Sequence, residues 1–379
     1  MMLLTILSSV FIATYFLFFI LLRYGWKRHA AVQIHEPGDP VSVAVIIPIR
    51  NEKESIDFLL TDLLQQSYPR EQTRIYLVDD GSTDGTTEIL KRYAAAHDGY
   101  IWYVSVSDRY KNWKGKKKAI ASAIDQSDET LILTTDADCR IGREWIRTFV
   151  AAFQQTDAMF VSGPVKMTGG KGFRNRFQEV EFASLIGSGA SAIGLGYPLM
   201  CNGACLGYTR KAYNAVGGFN GNEEIASGDD EFLMHKIATS FKKKVVFLKH
   251  SEAIAQTATT HSIHTFVQQR KRWAGKWEHY SLLYVQALAL WVFIYHLSLI
   301  LGLAAMLSGF GNIYLVAAMW LMKALCDYFY LKSVTSFLSI AFKIDIFIGS
   351  VLIYPFYVVL FGILSRFGSY EWKGRTEPV

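Results

Sequence analysis

Two aspartates one residue apart, Asp136 and Asp138, close the apolar run Leu131-Ile132-Leu133. Carboxylates at alternate positions of a strand end can be re-aimed by the following turn onto one cation. Hard divalent ions such as Mg2+ favour that donor set together with phosphate oxygens. A second acidic pair, Asp79-Asp80, ends the run Ile75-Tyr76-Leu77-Val78 and opens the turn Gly81-Ser82-Thr83-Asp84-Gly85. A third polar group, Arg50-Asn51-Glu52, follows Val43-Ala44-Val45-Ile46-Ile47, a run that ends at Pro48. Any one of these acids could simply cap the next helix, and for Ser82 or Asp84 alone that is the simpler reading.

The elements that position these groups repeat. Ile56, Leu59, Leu60, Leu63 and Leu64 recur at helical spacing after the first run. A helix is predicted over 86–96 after the second run, and another starts near Glu144 after the third. Continuous apolar strands alternating with amphipathic helices specify an α/β fold, a parallel sheet covered on both faces with right-handed crossovers. In such sheets ligands collect outside the carboxyl ends of the strands. All three polar clusters fall at that edge and should face one crevice.

Taken in order, "VIIPIRNE", "VDDGSTDGT", "DAD", "SGDDEFL" and "QQRKRW" resemble the motifs of family 2 glycosyltransferases over about 45–275. These are inverting enzymes of the GT-A fold, Rossmann-like with a mostly parallel sheet. The resemblance implies that Pro48, Arg50 and Glu52 line the nucleotide-sugar pocket, that Asp80 bonds the uracil ring and that Asp79 meets the nucleotide or ribose. It gives Asp136 and Asp138 a divalent ion, Mg2+ or Mn2+. Lys116, the match in a GKxxAL-like segment, would lie near the donor phosphates, and Lys114, Lys117 and Lys118 read as a solvated basic face. Asp230 matches the catalytic base, but Asp229 stands where Glu is commoner, and the run Asp229-Asp230-Glu231 leaves open which acid serves. Gln269, Arg272 and Trp273 match QxxRW, which implies contacts to diphosphate and acceptor, and Gly203 and Ala204 match an acceptor-side stretch, where small residues such as Gly207 would also admit a sugar. The chemistry agrees. A nucleotide-diphosphate sugar has a highly charged leaving group that a cation must screen, and its acceptor hydroxyl needs a base.

Residues 2–22 carry no charge and are long enough to cross a bilayer, with Arg23, Lys27 and Arg28 behind them. That order disfavours a cleaved signal peptide and puts the following residues in the cytoplasm. Apolar stretches return at about 285–308, 312–331 and 344–364. The expected organisation is one amino-terminal membrane helix (1–22), a cytoplasmic GT-A domain (23–284) with an interfacial helix near 264–284, three carboxy-terminal membrane helices (285–365) and a tail (366–379), in a bacterial inner membrane. Three full spans would leave the tail outside, against Arg366, Lys373 and Arg375. One segment should therefore fail to cross, and 312–331, with Lys323 and Asp327 one turn apart, is the first candidate. The expected partners are a UDP-sugar, a UDP-hexose above all, and a lipid acceptor in the cytoplasmic leaflet. A processive polysaccharide synthase is the alternative use of the same site, although three segments leave little room for a channel.

Four cysteines without CxxC spacing argue against a zinc site or a disulfide frame. The net charge of +6 is modest and accompanies no nucleic-acid motif. A dehydrogenase would show GxGxxG after its first strand, where this chain has Pro48-Ile49-Arg50-Asn51-Glu52. A scaffold that had lost catalysis would be expected to lack some of the acids, and all are present.

Overall fold

The computed structural model describes residues 2–34 and 40–378. The chain opens on α1 (Met2–Lys27) and then alternates strand and helix: β1 (Val43–Ile49), α2 (Ile56–Leu64), β2 (Thr73–Asp79), α3 (Thr86–Ala96), β3 (Ile101–Ser105), α4 (Lys117–Ile124), β4 (Leu131–Thr134) and α5 (Trp145–Thr156). There follow β5 (Phe160–Ser162), β6 (Val165–Thr168), α6 (Phe173–Leu195), β7 (Leu206–Thr209), α7 (Arg210–Ala215), α8 (Asp229–Ser240), β8 (Val245–Phe247) and β9 (Ala255–Ala258). The last part is helical: α9 (Ile263–Ala274), a 3-10 turn at Gly275–His279, α10 (Leu283–Leu307), α11 (Ile313–Phe337) and α12 (Ile344–Leu364), then the hairpin β10 (Ser369–Trp372) and β11 (Arg375–Pro378). Two units result, Arg28–Thr168 with Ala192–Ala258, and Met1–Lys27 with Gly169–Ser191 and Thr259–Val379. These bounds differ from the expected 23–284 domain, because 169–191 and 259–284 group with the apolar helices.

The first unit is built on a seven-stranded sheet in the order β3-β2-β1-β4-β7-β5-β8. β1, β2, β3 and β4 are mutually parallel, as the apolar runs require, while β7 enters antiparallel to both β4 and β5. The strand order reverses between β1 and β4, which opens a crevice at their carboxyl ends. β1 runs two residues past the expected end, through Pro48 to Ile49. This is tolerated for a geometric reason. The Ile49 carbonyl accepts from Asp80 N–H on the β2 side (2.8 Å), so Pro48 faces the β4 side, where pairing already stops at Ile46 and Thr134. Its missing N–H costs no ladder bond.

In the second unit α1, over Ile6–Lys27, and α10, α11 and α12 are each long and apolar enough to cross a membrane. α1 continues past the expected residue 22 to Lys27, and Trp26 in this added turn donates to Ser333 of α11 (3.0 Å). α11 likewise extends past 331 to Phe337. The Lys323 ammonium pairs with Asp327 as expected, and Tyr15 of α1 donates to the same carboxylate (2.5 Å). An unpaired charge there would cost several kcal/mol (~2.5–3.5 on insertion scales), so the charges fasten α1 to α11. The Tyr15 and Tyr295 rings stack at 4.2 Å beside them.

Candidate functional site

The turns after β1 and β2 hold each other. Arg50 donates to the carbonyls of Asp80 (2.5 Å) and Gly81 (3.0 Å). Asn51, at φ 51°, donates its N–H to Ser82 Oγ (3.1 Å) and accepts from Thr83 N–H (2.9 Å). Glu52 N–H bonds Thr86 Oγ1 (2.9 Å), and its carboxylate accepts from Ser55. Asp79 uses both oxygens on its own loop, one on Ser82 N–H (2.9 Å) and one on the Thr87 hydroxyl (2.6 Å). Asp84 accepts from Thr86 and Lys53 at the start of α3. Burial opposes its charge, but those hydrogen bonds outweigh burial and hold its carboxyl below the usual range.

The lysine run departs from the solvated-face expectation. Lys118 is buried and pairs with Asp80 at 2.7 Å. Lys117 is fully buried, and its ammonium donates to the carbonyls of Lys114 (2.9 Å) and Ile225. Lys116, at the amino end of α4, pairs with Asp136 at 2.5 Å. Lys114 keeps part of the expected role, being partly exposed beside Glu224 at 3.6 Å. A spacing argument saw one basic face; the helix start instead aims successive side chains in different directions. Gly115 explains how close the run comes to its neighbour. Its φ is +71°, and a Cβ there would lie 2.1 Å from the Ala226 carbonyl oxygen.

Past β4, Asp136 is half-buried and Asp138 exposed. Cys139 is buried between them and Arg140, and burial, then the two aspartates, push its thiol well above its ordinary value. Arg140 turns away to grip Asp62 of α2 with two bonds (2.6 and 2.7 Å). Among the described residues no group of three or more His, Cys, Asp or Glu is placed around one metal position. Asp136 and Asp138 nevertheless supply two hard oxygen donors, which suits a divalent ion whose remaining positions come from phosphate and water.

β7 runs antiparallel with Leu206 opposite Thr134, so the segment before it, 201–205, reaches the same edge. Thr134 Oγ1 donates to the Gly203 carbonyl (3.1 Å), and Ala204 N–H bonds the Asn202 side chain (2.9 Å). Gly203 N–H donates to Asp230 Oδ2 (2.7 Å), which brings the start of α8 to Thr134 and the Asp136 turn. Beside it, burial and then the Asp230 carboxylate raise Asp229 above the ordinary carboxyl value. Gly207 serves packing rather than approach to a sugar, since a Cβ there would lie 2.4 Å from Leu133 Cδ2.

Gln269, Arg272 and Trp273 lie in the second unit on α9, which ends at Ala274 instead of continuing to 284. Arg270, which an interfacial reading of this helix would send to headgroups, is buried against Glu181, with Tyr357 accepting from its Nε (3.0 Å). Its guanidinium lies 4.4 Å from the Trp273 ring centre and also donates to Gln269. Sequence reasoning missed Arg270 and Lys118 as partners of motif residues. Buried cations require buried acids, and no local spacing identifies Glu181 or Asp80 as those acids.

Comparison with known proteins gives a consistent result. The model for "Glycosyl transferase family 2" matches residues 44–217, and that for "Glycosyl transferase family group 2" matches residues 131–362. Glycosyltransferase AglE of Haloferax volcanii is 32% identical over 126 residues, 33% of this chain and 40% of that protein. An undecaprenyl-phosphate 4-deoxy-4-formamido-L-arabinose transferase of Proteus mirabilis is 32% identical over 114 residues, 30% of this chain and 34% of its own length. An N-acetylglucosaminyltransferase of Neorhizobium galegae is 25% identical over 248 residues, 63% of this chain and 55% of its own length. The chain thus spans between about a third and just over half of these curated relatives. In fold, it is similar to mannosyltransferase PcManGT from Pyrobaculum calidifontis, solved with GDP-Man and Mn2+, with a TM-score of 0.60 at 18% identity over 93% of this chain and 99% of that one.

Proposed function

Because this chain belongs to the family 2 glycosyltransferases, with the group model matching 131–362, we propose that it transfers a sugar from a UDP-hexose to a hydroxyl of a membrane lipid, with inversion. The observation that carries this reading is the assembly at one sheet edge of the Lys116–Asp136 pair, the Lys118–Asp80 pair and Asp230 on the Gly203 amide. A donor's diphosphate would meet Lys116 beside Asp136, and the nucleotide would lie along the Arg50–Asp80 turns. A divalent ion, Mg2+ or Mn2+, held by Asp136 and Asp138 would screen the diphosphate charge. The Mn2+ of the mannosyltransferase supports that choice of metal.

Asp230 has one carboxylate oxygen on Gly203 N–H, which fixes the carboxylate beside the acceptor-side stretch. It takes the proton of the attacking hydroxyl as the new carbon–oxygen bond forms at the anomeric centre. The bond to the diphosphate breaks, and its electron pair leaves on the phosphate oxygen. Asp229, its neighbour in the first turn of α8, is the alternative base. The four apolar helices suit insertion in a membrane, and the arabinose transferase is named for an undecaprenyl-phosphate carrier, which supports a lipid acceptor. The test is UDP release by the purified chain from UDP-glucose, UDP-galactose and UDP-N-acetylglucosamine with lipid extract, with and without Mn2+. Metal-dependent release that falls about 10^2–10^4-fold in Asp230→Asn is expected. No metal-dependent release with any donor, or release unchanged in both Asp138→Ala and Asp230→Ala, overturns it.

A further inference from the structure

Three full crossings by α10, α11 and α12 would separate the tail from α9 by the whole bilayer. The tail is instead fastened to α9. Lys271 Nζ donates to the Ser369 carbonyl (2.9 Å), Glu371 N–H donates to Gln268 Oε1 (3.0 Å), and Tyr370 between them is buried. Residues 283 and 364 therefore lie on one side, and an even number of crossings joins them.

The packing identifies which helix stays. α10 and α11 form an antiparallel pair, with Gly302 against Val316, and Tyr295 and Leu299 clustered with Met319 and Cys326. α1 runs parallel to α11, with Tyr15 at Asp327 and Trp26 at Ser333. α12 runs antiparallel to α11, because Phe347 meets Tyr328 while the later Tyr354 meets the earlier Lys323. It also runs antiparallel to α10, because Tyr354 meets His296 while the later Gly362 meets the earlier Phe293. No helix can align antiparallel to both members of an antiparallel pair, so α12 must lie across them.

Its inner side agrees. Gly349 packs on Phe173, Tyr357 on Phe177, Glu181 and Arg270, and Phe361 on Phe266. Along α6 the contacts advance in step, from Gly349 on Phe173 to Tyr357 on Glu181, about 12 Å on each helix at about 1.5 Å per residue, so α12 runs alongside α6. α6 and α9 carry Arg174, Arg176, Glu179, Lys271 and Arg272, so they do not lie in hydrocarbon. The outer side of α12 is an uninterrupted apolar stripe at helical spacing, Ile344, Ile348, Leu352, Phe356, Leu360 and Ile363, each about half exposed. Lys343 and Arg366 flank its two ends.

We propose that α12 does not cross the bilayer: it lies within one leaflet, on the side of α9 and the tail, with the stripe from Ile344 to Ile363 against lipid hydrocarbon and its other face on α6 and α9. α1, α10 and α11 are then the crossings. This puts Arg366, Lys373 and Arg375 on the same side as Arg23, Lys27 and Arg28, which the distribution of positive charge asks for. The role expected of 312–331 passes to the more apolar α12.

The test is sidedness in sealed vesicles of both orientations, on the full chain and independent of turnover. Thr376→Cys should react with a membrane-impermeant maleimide from the same side as Asp98→Cys and opposite to Phe310→Cys. Labelling is read above that of the parent chain, whose Cys139, Cys205 and Cys326 are buried. Reaction of Thr376→Cys from the Phe310 side overturns the proposal. Should a cysteine variant fail to fold, antibody access to an epitope appended after residue 379 gives the same reading. Spin labels at Ile348→Cys, Phe356→Cys and Ile363→Cys should report equal depth; a steady change over the roughly 22 Å that a crossing helix would advance overturns it.

Discussion

Removing Arg270 should destabilise the chain more than removing Arg270 and Glu181 together. The two side chains are 2% and 1% exposed, so neither charge has water to fall back on. Arg270→Met leaves the Glu181 carboxylate with the Tyr357 hydroxyl at 2.9 Å as its remaining described hydrogen bond. Breaking a buried pair this way costs about 3–5 kcal/mol. Glu181→Leu leaves a cation that still stacks on Phe266 (4.6 Å) and Trp273 (4.4 Å), contacts worth about 0.5–2 kcal/mol each, so its cost is smaller. The double replacement strands only the Tyr357 hydroxyl, about 1–3 kcal/mol, and Tyr357→Phe added to it should recover most of that. Thermal unfolding in detergent, followed by tryptophan fluorescence, measures the series. A double variant as unstable as the sum of its single variants would refute the reasoning, because additive losses mean that the pair is not a desolvated unit.

Gly115→Ala should lower stability by more than about 2 kcal/mol: a left-handed alanine alone costs about 1–2 kcal/mol, and the Ala226 carbonyl must also move. Donor turnover should fall with it, and chemical denaturation beside the UDP-release assay checks both. Arg140→Ala should cost about 1 kcal/mol, since the arginine is half exposed and Asp62 keeps the Ile141 N–H, while KM for the donor stays unchanged. Asp229→Asn should raise the melting temperature at neutral pH. The folded-state pKa of Asp229 lies above 3.8, so its ionisation opposes folding increasingly from 3.8 up to that folded value and by a constant amount beyond it, and the gain should vanish as the pH falls below 3.8. A melting series from pH 4 to 8 reads the trend, and a gain that grows toward acid contradicts it.

The strands and helices around the site were legible because each is a continuous apolar run or a 3.6-residue repeat ended by a polar turn. Val43–Ile49, Thr73–Asp79 and Leu131–Thr134 fall where those runs fall. Local patterns also put Asp84 at the start of α3, where it accepts from Thr86 N–H, and paired Lys323 with Asp327, one turn apart. What they could not give is the partner of a group that folding brings from far away. Asp62 for Arg140, Glu181 for Arg270 and Gly203 for Asp230 lie 27 to 89 residues distant. On the placement of α12 proposed above, hydropathy is limited in a related way. It measures how well a helix suits lipid and carries no information on the angle at which α6 and α9 hold it.

The basic run shows how the two kinds of information combine. Three successive lysines at the amino end of a helix are unfavourable by themselves, because that end carries partial positive charge. Consecutive residues of a helix point about 100° apart, so Lys116, Lys117 and Lys118 cannot share a target. They reach the Asp136 turn after β4, the Ile225 carbonyl before Asp229 and Asp80 after β2. Each wall of the crevice thus receives one cation from the same short stretch. The acids at the sheet edge make the run tolerable, and the run holds the acids at fixed places. Charge removal at Lys117 should therefore shift the loop that leads to Asp229 and Asp230, whereas removal at Lys116 should act on the Asp136 turn, the proposed diphosphate side.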